Sequence, residues 1–330
     1  MVVAVTGSIA NDYLMTFPGR FAELIVPEQI GRLSLSFLVD ELEVRRGGVA
    51  ANICFGMAQL GLRPVLVGAV GHDFADYRAW LERHGVDTAS VHVSELKHTA
   101  RFLCTTDSDQ SQIASFYAGA MEEARQIELA PVASRLGRVD LVVVSPNDPA
   151  AMVRHTEEAR TAGIEFVADP SQQLARMSGD QIRTLVEGAA YLVTNDYERA
   201  LLEAKTGWTH ADVLARVGVC VTTLGGQGCM IERVGEENIA VPAVPPTEVL
   251  DPTGVGDAFR AGFITGGLRG LTLERAAQLG CALATLVLES VGTQEYTVEA
   301  ESFLDRMAAA YGQPAAVDLA ANLPGFNSES

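Results

Sequence analysis

The chain has 330 residues, 48% hydrophobic and 20% charged, enough for a large buried core and far from a disordered or fibrous composition. Its formal net charge of -18 opposes a nucleic-acid backbone or an anionic membrane surface, and no Lys/Arg block overrides this locally. Only Lys97 and Lys205 are lysines and no Gly-x-x-x-x-Gly-Lys-Ser/Thr occurs, which excludes a Walker-type nucleotide loop.

Cys54, Cys104, Cys220, Cys229 and Cys281 are scattered, odd in number and mostly set in apolar runs. They read as buried thiols of a reducing compartment, with neither a disulfide framework nor a zinc site. No apolar run is long enough for a membrane span and no basic leader precedes Val2, so a cytoplasmic protein is expected.

In chain order, Met1 to Ser8 reads as a first core strand running into a turn, and Asp12 follows as a turn residue or as an acceptor for two vicinal hydroxyls. Leu33 to Arg45 and Ala100 to Tyr117 are rich in strand formers with no helix between their runs. They predict a small antiparallel sheet standing off the main one as a lid, with edge strands of the main sheet as the alternative. The segments at about 12–47 and 98–120 would form that lid on a single domain spanning 1–330. Gly47-Gly48 precedes Ala50, Ile53, Cys54, Met57 and Ala58 at helical spacing, and Gly61 supplies a stop.

Pro64 to Ala69, Leu141 to Ser145, Ile164 to Ala168, Tyr191 to Thr194 and Val219 to Thr223 are β-branched runs without polar alternation, separated by helical patterns. Such strands belong to a parallel sheet covered on both faces, so the fold class is α/β. Asn195 and Glu198 open a helix at the sheet's carboxyl edge, spaced as the N-cap and N3 of a capping box. Thr223 to Gly228 leads into a hairpin of Cys229 to Val234 and Ile239 to Val244; Gly225, Gly226 and Gly228 suit a plain turn or close approach by a base or phosphate. The end, 314–330, reads as weakly structured.

The run Asp251-Pro-Thr-Gly-Val-Gly-Asp257-Ala-Phe259 carries the most chemistry. Its glycines free the amides of 254 to 257 to crowd round an anion, and the following helix aims its positive end at the same point. Asp257 beside them places a base within reach of a phosphoryl group and a hydroxyl, or merely caps the helix.

Four runs together resemble the ribokinase-like, or PfkB, carbohydrate kinase family: Arg46-Gly-Gly-Val-Ala-Ala-Asn52, Asn195-Asp-Tyr-Glu198, Thr223-Leu-Gly-Gly-Gln-Gly228, and the nonapeptide from Asp251. The resemblance implies a three-layer sandwich with a mainly parallel central sheet and a β-lid. It implies that Asp257 takes the acceptor's proton while the amides of Gly254, Val255 and Gly256 cradle the transferred phosphoryl group. ATP is expected at Asn195, Thr223, Gly225, Gly226, Gly228, Thr253 and Gly254, with Asn195 and Glu198 placing Mg²⁺ largely through water. Asp251, the Thr253 carbonyl and the Gly292 region match the frame of a K⁺ site found in many members. Position 255 is Val where Ala is usual and 252 is Pro where Thr is frequent; the amide at 255 is kept, whereas Pro252 offers only its carbonyl.

The acceptor pocket is expected from Ser8, Asp12, Ser36, Gly48 and Asn52 for the sugar, with Phe102 and Phe116 as flat surfaces and Gln172 and Gln173 at the edge of a purine. The two phenylalanines could equally pack a small lid core. These pocket runs look like those of bacterial, especially actinobacterial, adenosine kinases. That likeness implies phosphorylation of the adenosine 5′-hydroxyl to AMP, with ribose, another nucleoside or a related sugar as alternative acceptors. The expected partners are adenosine and ATP, with a homodimer formed through the exposed edges and apolar face of the lid. A sugar-binding protein would explain Asp12 and the lid but not a carboxylate after an anion-binding turn. A dinucleotide oxidoreductase fails because the first strand leads into Thr6-Gly-Ser-Ile-Ala10.

Overall fold

A computed structural model describes residues 1–24 and 35–326. Its strands in chain order are β1 (Val3–Thr6), β2 (Ala10–Thr16), β3 (Glu41–Gly47), β4 (Val65–Val67), β5 (Ala69–Val70), β6 (His92–Val93) and β7 (Ala100–Thr106). They continue as β8 (Gln112–Tyr117), β9 (Leu141–Val144), β10 (Glu165–Ala168), β11 (Tyr191–Asn195), β12 (Val219–Thr223), β13 (Cys229–Glu232) and β14 (Ile239–Val241). The main sheet has the order β14-β13-β12-β11-β10-β9-β1-β4, and only β13 runs against the rest, pairing antiparallel with both β12 and β14. Each of the six core strands expected from the sequence is present.

Those strands are apolar on both faces because both faces are covered. Along β1 and β9, Val3, Val5, Leu141 and Val143 join one buried cluster while Ala4, Val142 and Val144 join another, the period of two that a pleated strand dictates. Helices Val49–Gln59, Val255–Leu268 and Leu273–Leu288 pack in the first cluster; Pro149–Thr161, Gly179–Val186 and Asp196–Thr206 pack in the second. The result is a helix-sheet-helix sandwich.

The chain leaves β1 for β4 on one side and returns to β9 on the other, so the strand order reverses between β1 and β9. A crevice opens there beyond the carboxyl ends of the strands, at Ser8 and Pro146. Over it stands a second sheet of order β3-β2-β7-β8.

Three expectations change. The smaller sheet is mixed: β2 pairs with β7 in parallel, since the long excursion between them includes the helix Val49–Gln59 and β4. Asp12 lies inside β2, which pairs with β3 over seven residues, and is not a turn residue. The end of the chain is ordered: Pro314 opens the helix Gln313–Asn322, which buries Ala315, Ala316 and Leu319, and Leu323 and Phe326 are buried after it. Of the expected strand run Leu33 to Arg45, the described part is strand only from Glu41, and residues 25–34 lie outside the described residues.

Candidate active site

Helix Val255–Leu268 starts at Gly254, whose φ of 78° is left-handed; a Cβ there would sit 2.8 Å from Thr293 Cγ2, so only glycine fits. The first intrahelical bond runs from the Ala258 amide to the Gly254 carbonyl, leaving the amides of 255 to 257 without an intrahelical acceptor. Asp257 sits in that first turn, enclosed by protein except where it opens into a cavity. Burial pushes its carboxyl up to about 6, against the pull of Arg260 and of a hydrogen bond from Asn52. That bond, Asn52 Nδ2 to Asp257 Oδ2, is 2.9 Å long.

The cavity has a volume of about 510 Å³ and gathers residues from Ser8 to Thr293. Ser8, Asp12, Gly48, Asn52, Phe102, Phe116, Gln172, Gln173, Thr253, Gly254 and Asp257, all expected from the sequence, border it together. Gly48 is required at its place: φ is 96° and a Cβ would lie 2.6 Å from the Ala10 nitrogen. The Ser8 hydroxyl accepts from the Val49 amide at 3.0 Å and so fixes the start of the helix that carries Asn52.

Register explains how the smaller sheet serves the cavity. Arg45, Asp12, Phe102 and Phe116 are directly paired across β3, β2, β7 and β8, so their side chains share one face. Asp12 is pushed up to about 6 by burial and by the nearby Asp251, with Arg45 opposing. Ser36, by contrast, is exposed in a stretch without regular structure and is not among the cavity residues.

The elements expected to hold the nucleotide stand along the same sheet edge. Asn195 pairs with Thr223 at the ends of β11 and β12, and Gly225 to Gln227 form a 3-10 turn beyond, with open space over Gly225 and Gly226. Gly228 closes that turn back to β13. Asn195 and Glu198 make the full capping box, with bonds of 2.7 and 2.8 Å, and Glu198 Oε1 also accepts from the Ser171 hydroxyl at 3.3 Å. Among the described residues, no cluster of three or more His, Cys, Asp or Glu side chains is arranged to hold a metal.

Several residues at the site carried no sequence signal. Arg260 is buried and pairs with the fully buried Asp169 at 2.7 Å, 3.9 Å from Glu198. Burial pushes Asp169 up to about 7 in spite of that cation. Gln294 and Thr293 meet Asn52, Met121 and Arg176 border the cavity, and Arg45 reaches Asp251 at 3.4 Å. Asp251 is also held by the amides of Thr253, at 2.9 Å, and Gly292, at 3.1 Å, which joins the three residues of the expected K⁺ frame.

This arrangement of a helix tip with free amides, a carboxylate and a covered crevice has relatives. A model of the pfkB family carbohydrate kinases matches residues 16–300. The chain belongs to that family. It is 32% identical over 305 residues to a nucleoside kinase of Methanothermobacter thermautotrophicus, covering 92% of this chain and 97% of that one. Among solved structures it is similar to a Burkholderia thailandensis nucleoside kinase in complex with inosine, with a TM-score of 0.83, 33% identity, and coverage of 94% and 99% of the two chains. The same kinase in complex with ADP-inosine gives a TM-score of 0.80 at 35% identity, covering 94% and 96%. The PfkB kinase described here is therefore a phosphotransferase with the ribokinase-like fold.

Proposed function

We propose that this PfkB kinase is an ATP:adenosine 5′-phosphotransferase, an adenosine kinase that makes AMP in purine salvage. The observation that carries this is the single cavity in which a diol-sized grip, two aromatic rings and the carboxylate at the helix tip face one another. Asp12 and Asn52 hold the ribose hydroxyls, and Phe102 and Phe116 stack on the purine. Gln173 is buried with an unpartnered Oε1, and a donor on the edge of the base completes its bonding, with Gln172 beside it.

Asp257 removes the 5′-hydroxyl proton as the O5′–Pγ bond forms and the bond from Pγ to the departing ADP breaks. The amides of Val255 and Gly256, at the Gly254 turn, receive the charge that gathers on the phosphoryl oxygens. Thr223 and the glycines at 225, 226 and 228 take the nucleotide, with Thr253 at the phosphates. Asn195 and Glu198 supply oxygen donors suited to the water shell of Mg²⁺, which neutralises the ATP phosphates when bound. Asp251, the Thr253 carbonyl and the Gly292 region are oxygen-bearing and adjacent, so K⁺ fits beside the turn once Arg45 yields.

The smaller sheet acts as a lid, and its exposed Leu42, Val44, Ile113 and Tyr117 support pairing with a second copy. Buried free thiols at all five cysteines and the need for ATP support a cytoplasmic site of action. No helix among the described residues is long and apolar enough to cross a membrane. The test is ADP release coupled to a reporter, with MgATP and adenosine, inosine, ribose or fructose. Adenosine should give the highest kcat/KM; a higher value with ribose or fructose would refute the assignment.

A further inference from the structure

The Asn52 amide that meets Asp257 ends a buried hydrogen-bond chain, and a backbone carbonyl fixes the direction of that chain. The Gly47 carbonyl can only accept, so the Tyr77 hydroxyl, 2.9 Å away, donates to it. The Tyr77 oxygen is then the acceptor for Gln294 Nε2 at 2.6 Å, and the other proton of that amide goes to Asn52 Oδ1 at 2.9 Å. With its oxygen occupied, Asn52 must turn Nδ2 toward Asp257. Thr293 Oγ1 also lies 2.9 Å from Asn52 Oδ1, but its one proton is shared with the Arg46 carbonyl, also 2.9 Å away, so Gln294 alone fixes the direction.

Tyr77, Asn52 and Gln294 are 3%, 6% and 1% exposed, so water offers no alternative partners. A reversed Asn52 would set its NH₂ against the NH₂ of Gln294 and point a carbonyl oxygen at a carboxylate. Both contacts are repulsive in a buried site.

We infer that Tyr77 and Gln294 are positioning residues: they lock the Asn52 amide donor-first onto Asp257, so that the base stands ready as a carboxylate. This rests on Asp257 acting as the base. Other groups face that carboxylate: Arg260 from its own helix, Glu198 from helix Asp196–Thr206, Asp12 from β2, Asp169 after β10, and Tyr296. Arg260 pairs with Asp169 and also favours the Asp257 carboxylate through its charge, while the neighbouring acids favour protonation. Asn52 donates the one side-chain hydrogen bond that Asp257 receives among the described residues.

The experiment is the pH dependence of kcat/KM for the nucleoside at saturating MgATP, in the wild type, Tyr77→Phe, Gln294→Glu and Asp257→Asn. Tyr77→Phe removes the link to the Gly47 carbonyl and frees the Gln294 amide to turn. Gln294→Glu keeps the shape but replaces the donors with acceptors, which pulls Asn52 Nδ2 away from Asp257. Both should move the acid limb of the profile up by about one pH unit or more, with Gln294→Glu moving it further. Residues that only support the fold would lower the melting temperature or scale the rate equally at every pH, leaving the limb in place.

An unmoved limb in the folded variants overturns the inference, and if Tyr77→Phe does not fold, Gln294→Glu decides alone. The Asp257→Asn arm separates the two claims. Turnover retained there removes the base assignment itself, whereas an inactive Asp257→Asn with unmoved limbs in the other two removes only the positioning role.

Discussion

At the scale of the residue, Asp257, the proposed base, has its proton affinity set by its surroundings. Its pKa of about 6 means that it is mostly ionised at neutral pH and protonated below that value. The rate should therefore fall as pH drops through about 6, and stopped assays from pH 5 to 8 would locate the limb. Asp257→Asn should lose on the order of 10² to 10⁴ in kcat while nucleoside affinity, read by calorimetry, is largely kept. Asp257, Gly254 and Asn52 were legible in the sequence because each falls in a short run whose chemistry is local. Tyr77, Gln294, Asp169 and Arg260 were not, because their partners are far along the chain: Asn52 and Asp257 are separated by 205 positions, and Gln294 and Tyr77 by 217. An isolated Gln or Tyr has no periodicity to betray such a contact.

At the scale of the element, the turn before helix Val255–Leu268 is specified by steric exclusion. Gly254→Ala would force a side chain into a left-handed conformation costing about 1–2 kcal/mol and against Thr293, so the helix tip should shift. The expected outcome is a loss of kcat well beyond the loss of thermal stability, checked by steady-state kinetics beside calorimetric melting. The core strands were readable because Val and Ile runs without polar positions have few alternatives. By contrast, β2 reads Ala-Asn-Asp-Tyr-Leu-Met-Thr, with a β-branched residue only at its end, and its strand character comes from pairing with β3 and β7 on both sides. The last helix was missed for a related reason: Pro314 looks like a terminator, yet at the first turn of a helix it is an initiator.

At the scale of the whole molecule, buried acids set how stability responds to pH. Asp12, Asp169 and Asp257 are raised to about 6, 7 and 6. A carboxyl with a raised folded pKa gives its stabilisation below its unfolded value and loses it as pH climbs through the folded one. The ligand-free protein should therefore lose melting temperature from these groups between about pH 4 and 7, and Asp12→Asn, which removes one of them, should show a shallower decline in differential scanning calorimetry. The proposed dimer has its own check: Leu42→Lys combined with Val44→Lys on the exposed face of β3 should halve the mass found by sedimentation.

The register that lines up Asp12, Phe102 and Phe116 has a further consequence. Neighbouring strands stand about 4.8 Å apart, so the three side chains mark off a ruler whose divisions are set by backbone hydrogen bonds and not by flexible loops. A bare pentose reaches only the first mark, while a nucleoside spans them all. If the proposed acceptor lies along this ruler, molecular length becomes something this kinase measures, and slipping β7 by one position would turn Phe102 away and erase the scale at its middle.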